Sequence, residues 1–300
     1  MPSVIITGAN GFIGRKVAKY FKNKNYDVYC LIHSSIPEEL RDCNIIKFEL
    51  SNIRALEETL PKNVDIFYHL AWEGVDSDLK DDYSIQRKNI DSSFQLLRLA
   101  EKINCKKIIF TGSVSEYAYA EKEVDGNNVP SPCDMYSACK VSTHFICDLY
   151  AKKKNINFIW VLIPSIYGPG RDDENLITYS IKKFLKGEKP SFTKLEQRWD
   201  YVYIDDLIRG LYLIGEKVLK ENTYVIGGGN NYKLSYYVEV IRDYINPELD
   251  MGIGEFPYKT DKIDNSLTDF SLTTQHTGYV PNYKFEEAIK KTIEYFKTIR

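Results

Sequence analysis

Apolar residues in the first half of the chain fall in short, almost unbroken runs: 3–7, 27–32, 45–50, 66–70, 107–111 and 157–163. Between them lie stretches of helical period near 12–23, 53–60, 84–103 and 134–153. Short, nearly all-apolar strands alternating with helices predict βαβ units and a parallel sheet covered on both faces. Right-handed crossovers then wind that sheet into a doubly wound α/β fold. Past residue 165 the pattern loosens. Tyr167-Gly-Pro-Gly-Arg171 reads as a turn, with helices near 174–186 and 204–217 and a strand over 223–226 that runs into Gly227-Gly-Gly-Asn-Asn231. The chain closes on an amphipathic helix with Phe285, Ile289, Ile293 and Phe296 on one stripe. The expected organisation is a first domain over 1–165 and a smaller, interlocked α/β lobe over 166–300, with approximate boundaries.

Composition narrows the partners. The apolar fraction of 43% is ample for a core, and a net charge of −2 gives no reason to expect nucleic acid or an anionic membrane surface. The longest apolar run, Phe158-Ile-Trp-Val-Leu-Ile163, is too short to span a bilayer. Met1-Pro-Ser-Val-Ile-Ile lacks a basic n-region, so no secretory signal is expected. The six cysteines form no C-x-x-C pair, and Cys30 and Cys147 sit inside apolar elements, which suits a reducing, cytoplasmic compartment. His33, His69, His144 and His276 are scattered without metal-ligand spacing, and no metal is expected.

The first strand leads directly into glycines at 8, 11 and 14, and then into a helix. Glycine allows the sharp turn and the close approach of a pyrophosphate, while the helix N-terminus supplies N–H donors and a positive dipole end. This predicts a Rossmann-type dinucleotide site. At the end of the second strand an acid would bind the ribose 2′-hydroxyl of NAD and repel the 2′-phosphate of NADP. Here the strand ends Leu31-Ile32-His33-Ser34-Ser35, with no carboxylate before Glu38. His33, Ser34 and Ser35, helped by Arg15, could hold a phosphate, so NADP is the expected cofactor and NAD the alternative. Glu49, at the end of the third run, could accept from the adenine amino group. Tyr136 and Lys140, four apart, share a helix face. An ammonium near a phenol favours the phenolate, which predicts a tyrosine pKa lowered toward neutrality and a usable acid or base.

Several motifs occur in order: Thr7-Gly-Ala-Asn-Gly-Phe-Ile-Gly14, Glu49-Leu50, His69-Leu-Ala-Trp72, Asn89, Phe110-Thr-Gly-Ser-Val-Ser-Glu-Tyr117, Tyr136 with Lys140, Pro164-Ser-Ile-Tyr-Gly-Pro-Gly170 and Trp199-Asp-Tyr-Val-Tyr-Ile-Asp-Asp-Leu207. Together they resemble the extended short-chain dehydrogenase/reductases of the NAD-dependent epimerase/dehydratase family, over most of the chain. The resemblance implies a cofactor site of Gly8, Asn10, Gly11, Phe12, Ile13, Gly14, Glu49, Leu50 and Thr111. Leu70, Ala71 and Trp72 would line the cofactor's middle portion, and Asn89 would support the facing helix. Lys140 would hold the nicotinamide ribose, with Pro164 and Ile166 beside the nicotinamide. The family's catalytic serine or threonine lies four residues before the tyrosine matched by Tyr117, which gives Ser113, or Ser115 in a shifted register. Ser113 would hydrogen-bond the sugar oxygen, Tyr136 would exchange its proton, and Lys140 would keep Tyr136 acidic.

The resemblance also implies a nucleotide-diphospho-sugar substrate, bordered by Ser113, Val114, Ser115, Tyr136, Asn175 and Leu176, with Arg171 and Arg198 as phosphate partners. The family's usual arginine is replaced by Trp199, and on an extended segment Arg198 would point elsewhere. The family's 4,6-dehydratases carry Asp-Glu after the catalytic threonine. Val114 and Ser115 stand there instead, and Glu116 comes one residue too late. The absent acid after Ile32 favours NADPH-dependent reduction of a 4-keto-6-deoxy sugar. A C4 epimerase with tightly bound NAD is the alternative, ahead of a dehydratase or an inactive NADP-binding sensor. Phe94, Leu97, Phe145 and Leu149 widen the apolar faces of two helices that pair across a two-fold axis in this family, which implies a homodimer.

Overall fold

The computed structural model describes all residues except 34–35, 76–78, 259–265 and 300; the side chains of Leu50 and Ser51 are likewise outside the described set. The first half comprises β1 (Ser3–Thr7), α1 (Phe12–Asn23), β2 (Asp27–Ile32), β3 (Asn44–Lys47), α2 (Leu56–Thr59), β4 (Ile66–His69), α3 (Tyr83–Lys102), β5 (Lys107–Ser113), α4 (Met135–Lys154) and β6 (Phe158–Ile163). The second half adds β7 (Ser165–Tyr167), α5 (Leu176–Leu185), β8 (Arg198–Trp199), β9 (Tyr201–Tyr203), α6 (Ile204–Glu216), β10 (Thr223–Val225), β11 (Tyr232–Lys233), α7 (Leu234–Ile245), α8 (Ser271–Thr277) and α9 (Phe285–Thr298).

Seven parallel strands lie in the order β3-β2-β1-β4-β5-β6-β10. Alternate residues of each central strand enter opposite cores. Val4, Ile6, Ile109 and Val161 join one buried cluster, while Ile5, Ile108, Phe110 and Trp160 join the other. This two-sided burial is why these strands read as unbroken apolar runs. The strand order reverses between β1 and β4. A crevice forms there, beyond the strand ends at Thr7 and His69, and such crevices are where doubly wound sheets bind ligands.

Three boundaries differ from expectation. β3 stops at Lys47, and the chain turns at Leu50–Ala55 into a short 3-10 segment, so Glu49 and Leu50 leave the sheet. The helix expected at 53–60 is broken, with Asn52 in a non-helical conformation and only Leu56–Thr59 α-helical. β5 runs two residues further than its apolar stretch because Gly112 and Ser113 pair with Leu162 and Ile163 of β6. That extension carries Ser113 into the crevice.

The two halves interlock. β10 pairs with β6 at the sheet edge, and α6 packs on α1. Lys107, at the start of β5, is 8% exposed. Its ammonium donates to the carbonyls of Ile214 (2.9 Å), Gly215 (2.7 Å) and Lys217 (2.5 Å), at the C-terminal end of α6. The last turn of a helix leaves carbonyls without intrahelical donors, and a cation there also meets the negative end of the helix dipole. The rest of the second half builds a small lobe of α5, α7 and α9 over the short pairs β7–β9 and β8–β11. α7 and α8 were not predicted. α7 buries Tyr237, Val238 and Ile241 against this lobe. Among the described residues no helix is long and apolar enough to cross a membrane.

Candidate active site

A cleft of about 770 Å³ opens over the C-terminal ends of β1, β4, β5 and β6, within the size range of small-molecule sites. Its floor is the glycine loop. Gly8 adopts φ +67°, and a Cβ there would lie 2.8 Å from the Ala71 nitrogen; a Cβ on Gly14 would lie 2.1 Å from the Gly8 carbonyl oxygen. Both positions therefore require glycine. A Cβ on Gly11 would meet only the Gly8 carbonyl oxygen, at 3.2 Å, and would otherwise fill the cleft. Gly11 is the N-cap of α1 and leaves the helix without a side-chain cap. Open helix N–H groups beneath a side-chain-free cradle fit a pyrophosphate.

The next wall follows β4. The Leu70 and Ala71 N–H groups donate to Thr7 Oγ1 (3.2 and 3.3 Å), whose own proton goes to His69 Nδ1 at 2.7 Å. We assign the proton of His69 to Nε2, which meets Ser93 Oγ at 2.9 Å. Burial, then the charge of Lys140, pushes His69 down to about 3, so it is a neutral strut at pH 7. Trp72 Nε1 donates to Gln86 Oε1 (2.9 Å), and Gln86 Nε2 donates to the Gly74 and Leu79 carbonyls. Asn89 accepts from Glu73 N and donates to Glu73 O, both at 2.9 Å. Asn89 thus holds the loop that carries Trp72. Gln86, buried on the same helix, shares the task and was not singled out in the sequence.

The reactive set sits where α4 meets the end of β5. Asp134 caps α4, accepting from Ser137 N at 2.7 Å, and Asp81 accepts from Met135 N at 3.0 Å. This fixes the first turn, with Tyr136 in it and Lys140 one turn further on the same face. Lys140 Nζ donates to the Thr111 carbonyl at 2.7 Å and lies 3.8 Å from the centre of the Trp72 ring. The Tyr136 ring is edge-on to Trp72, with centroids 5.9 Å apart. Tyr136 and Ser113 line the same cleft, and the Ser113 hydroxyl acts on the Tyr136 phenol. Ser115 Oγ is 2.8 Å from Ser113 Oγ and lines the same cleft.

The electrostatics differ from expectation. The pKa of Tyr136 is raised, by burial first and by the Glu116 carboxyl second, with the Ser113 hydroxyl pulling the other way. Lys140 does not lower it. The Lys140 head is turned to Thr111 and Trp72, 5.9 Å from the Tyr136 ring centre, and burial pushes the ammonium itself down to about 7.

Of the residues expected around the cofactor, Gly8, Gly11, Phe12, Ile13, Gly14, Leu70, Trp72, Thr111, Tyr136, Lys140, Pro164 and Ile166 line the cleft. Ala71 contributes backbone behind it, and Asn10 and Glu49 do not line it. Ser34 and Ser35 lie outside the described residues, as does the Leu50 side chain, and His33 is exposed after β2. Arg15 is committed elsewhere: its Nη2 donates to the Gly170 carbonyl at 2.7 Å, tying α1 to the turn after β7.

On the substrate side, Ser113, Val114, Ser115 and Arg171 line the cleft, while Asn175, Leu176 and Arg198 do not. Asn175 caps α5, accepting from Ile177 N and Thr178 N. Arg171 is paired through two nitrogens with Asp173 (2.6 and 2.7 Å), so its charge is largely compensated. Arg198 donates to the Asn231 carbonyl at 2.7 Å. Trp199, in place of the family's arginine, instead reaches the cleft and donates from Nε1 to Ser165 Oγ at 2.9 Å. The sequence reading also missed Lys80 and Lys122 on the cleft wall, the former 5.4 Å from the Tyr136 ring centre. Both lie in loops, where no periodicity marks a side chain as facing inward.

Known proteins share this fold. The model of the NAD dependent epimerase/dehydratase family matches residues 4–227. UDP-glucuronate 4-epimerase of Thermodesulfobacterium geofontis is 25% identical over 318 residues, covering 98% of this chain and 95% of that protein. The structure of UDP-glucose 4-epimerase from Thermotoga maritima with UDP-glucose superposes with a TM-score of 0.88 at 22% identity, covering 99% of this chain and 100% of the other. UDP-glucuronic acid 4-epimerase from Bacillus cereus, in complex with UDP-glucuronic acid and NAD, gives 0.85 at 22% identity, again over 99% and 100%. With a family match over most of its length, the glycine cradle and the Ser113–Tyr136–Lys140 cluster, this chain belongs to the NAD-dependent epimerase/dehydratase family.

Proposed function

We propose that the protein interconverts nucleotide-diphospho-sugars by hydride and proton exchange at a sugar carbinol, and that its net reaction is C4 epimerisation with retained NAD. The observation that carries this reading is the convergence of Ser113, Tyr136 and, one helical turn further on, Lys140 in a single cleft floored by the glycine loop. A nicotinamide dinucleotide, when bound, takes up and returns the hydride. The backbone at Gly8 and Gly11–Gly14 would hold its pyrophosphate, with Leu70 and Trp72 along its middle and Pro164 and Ile166 beside the nicotinamide. Ser113 would donate to the sugar oxygen and Tyr136 would pass it a proton or take one away. Lys80 and Lys122 supply positive charge on the substrate side of the cleft.

Epimerisation is supported by the full-length relative that is a 4-epimerase. The absence of an acid after Ile32 favours a second reading, NADPH-dependent reduction of a 4-keto-6-deoxy nucleotide sugar. Dehydration is disfavoured further, because Glu116 is wholly buried and does not line the cleft. The test is to release and identify any dinucleotide held by the purified protein, and to incubate the protein with UDP-glucose and UDP-glucuronic acid. Expected are bound NAD and an epimer detected by NMR, without net change in reduced-nicotinamide absorbance. NADPH consumption with a 4-keto-6-deoxy sugar, and no epimer, would establish the reductase instead.

The proposal includes a homodimer through α3 and α4. Phe145, Ile146 and Leu149 are 57%, 44% and 57% exposed on one helix, an apolar patch that calls for cover. Leu97, expected on this face, is fully buried in the core, and Phe94 packs against Tyr150. Light scattering should give twice the 34.8 kDa chain mass, and a Leu149→Asp variant should run as a monomer.

A further inference from the structure

Glu116 sits directly behind the reactive cluster and has no part in the scheme above. It is entirely unexposed. Its Oε1 accepts from Ser113 N at 2.7 Å and from Trp160 Nε1 at 3.3 Å, while Oε2 has no hydrogen-bond partner among the described residues. A glutamine would supply the same Oε1 acceptor and the same capping bond. What glutamine lacks is charge, and a buried carboxylate with an orphaned oxygen is costly unless a nearby charge compensates it.

Lys140 has the complementary need. It is 5% exposed, and its nearest partners, the Thr111 carbonyl and the face of Trp72, both favour an ammonium without carrying net charge. The two heads are anchored two residues apart on one strand, Lys140 on the Thr111 carbonyl and Glu116 on the Ser113 amide. Gly112 lies between them. A Cβ there would sit 2.2 Å from Trp160 Nε1 and 2.5 Å from Glu116 Oε1, so the strand leaves out a side chain where the carboxyl is seated.

We propose that Glu116 is the buried counter-ion of Lys140, a positioning residue that holds Lys140 as an ammonium beside Tyr136.

The other titratable groups facing the pair are neutral at pH 7. From α4, His144 has Nδ1 4.0 Å from Glu116 Oε2, and burial pushes it down to about 4, with Asp148 opposing and Lys152 reinforcing. His69 of β4 is likewise neutral. Tyr136 of α4 and Tyr117, which follows Glu116, are both raised by burial and then by Glu116 itself. Burial lifts Glu116 above the ordinary carboxylate range, against the pull of Ser113 N and Lys140, and lowers Lys140, against the pull of Glu116. The two therefore titrate as one coupled unit. As pH rises, the Glu116 anion that forms delays proton loss from Lys140.

The interaction is reciprocal and can be read without substrate. In pH-difference infrared spectra, wild type should show a protonated carboxyl band, absent in Glu116→Gln, with a midpoint above the ordinary carboxylate range. Lys140→Met should raise that midpoint by at least one pH unit, a tenfold change in acid dissociation, because the compensating cation is gone. Lys140→Arg, which keeps the charge, should leave it in place; Lys140→Gln serves if the Met variant does not fold. A midpoint unchanged in the Met variant, or no band lost in Glu116→Gln between pH 5 and 9, would overturn the proposal. A kinetic arm rests on the catalytic reading above: Glu116→Gln should move the basic limb of the kcat profile down by about one pH unit. A merely structural role would scale the profile without moving it. Failure of the catalytic reading would leave the infrared outcome standing, so the two can be told apart.

Discussion

Tyr136→Phe is expected to lower kcat by about 10²–10⁴-fold, the usual worth of a positioned general acid or base. That corresponds to roughly 3–5 kcal/mol of transition-state stabilisation, at about 1.4 kcal/mol per tenfold. Phenylalanine keeps the edge-on packing against Trp72, so the melting temperature and nucleotide-sugar affinity should hardly change. The loss should appear in kcat and in kcat/KM alike, since the removed contact acts on the reacting oxygen. The wild-type pH dependence adds a second signature. Burial and Glu116 hold the phenol in its acid form at neutral pH. Oxidation of a carbinol needs the phenolate and should speed up as pH rises; ketone reduction needs the phenol and should not. The variant should lose that rise. Activity within tenfold of wild type would rule Tyr136 out as the proton carrier.

Lys107→Met is expected to be strongly destabilising, at about 3–5 kcal/mol, the cost of leaving three carbonyls without their shared donor after partial recovery by water. The side chain is unbranched and similar in length, so packing along its stem is largely retained. What disappears is the donor shared by three carbonyls at the end of α6. Each carbonyl left unpaired in a buried setting costs about 1–3 kcal/mol, less whatever water recovers. Burial brings Lys107 down to about 8, so it is still mainly protonated at pH 7. Thermal unfolding at that pH should show a drop on the order of 10 °C for a chain of this size. A drop within a few degrees would mean the end of α6 re-satisfies itself, and Lys107 would not be the joint between the halves described above.

Local features were legible because their causes are local. Two-sided burial writes itself into consecutive apolar residues, and β1, β2 and β6 appear in the sequence almost to the residue. The end of β5 was misjudged because Gly112 and Ser113 are neither apolar nor β-formers; they are strand only because β6 pairs with them. The arginines were misjudged for a similar reason. A sequence shows a positive charge and hides its partner, and Arg171 finds Asp173 while Arg15 finds a carbonyl 155 residues away. Trp199 was read only as a missing arginine, although it lines the cleft itself.

By itself the sequence determined the doubly wound core, the glycine cradle and the shared face of Tyr136 and Lys140. Those follow from hydrophobic period, from backbone freedom at φ > 0 and from helical spacing, none of which needs a distant partner. Only the tertiary structure decided the electrostatics. Whether Tyr136 is acidic, whether Lys140 keeps its proton and whether Glu116 is a solvated charge or a buried counter-ion depend on desolvation and on neighbours such as Trp160, 44 residues from Glu116. Charge energies depend on distance and burial in three dimensions, and residue order does not encode either one directly.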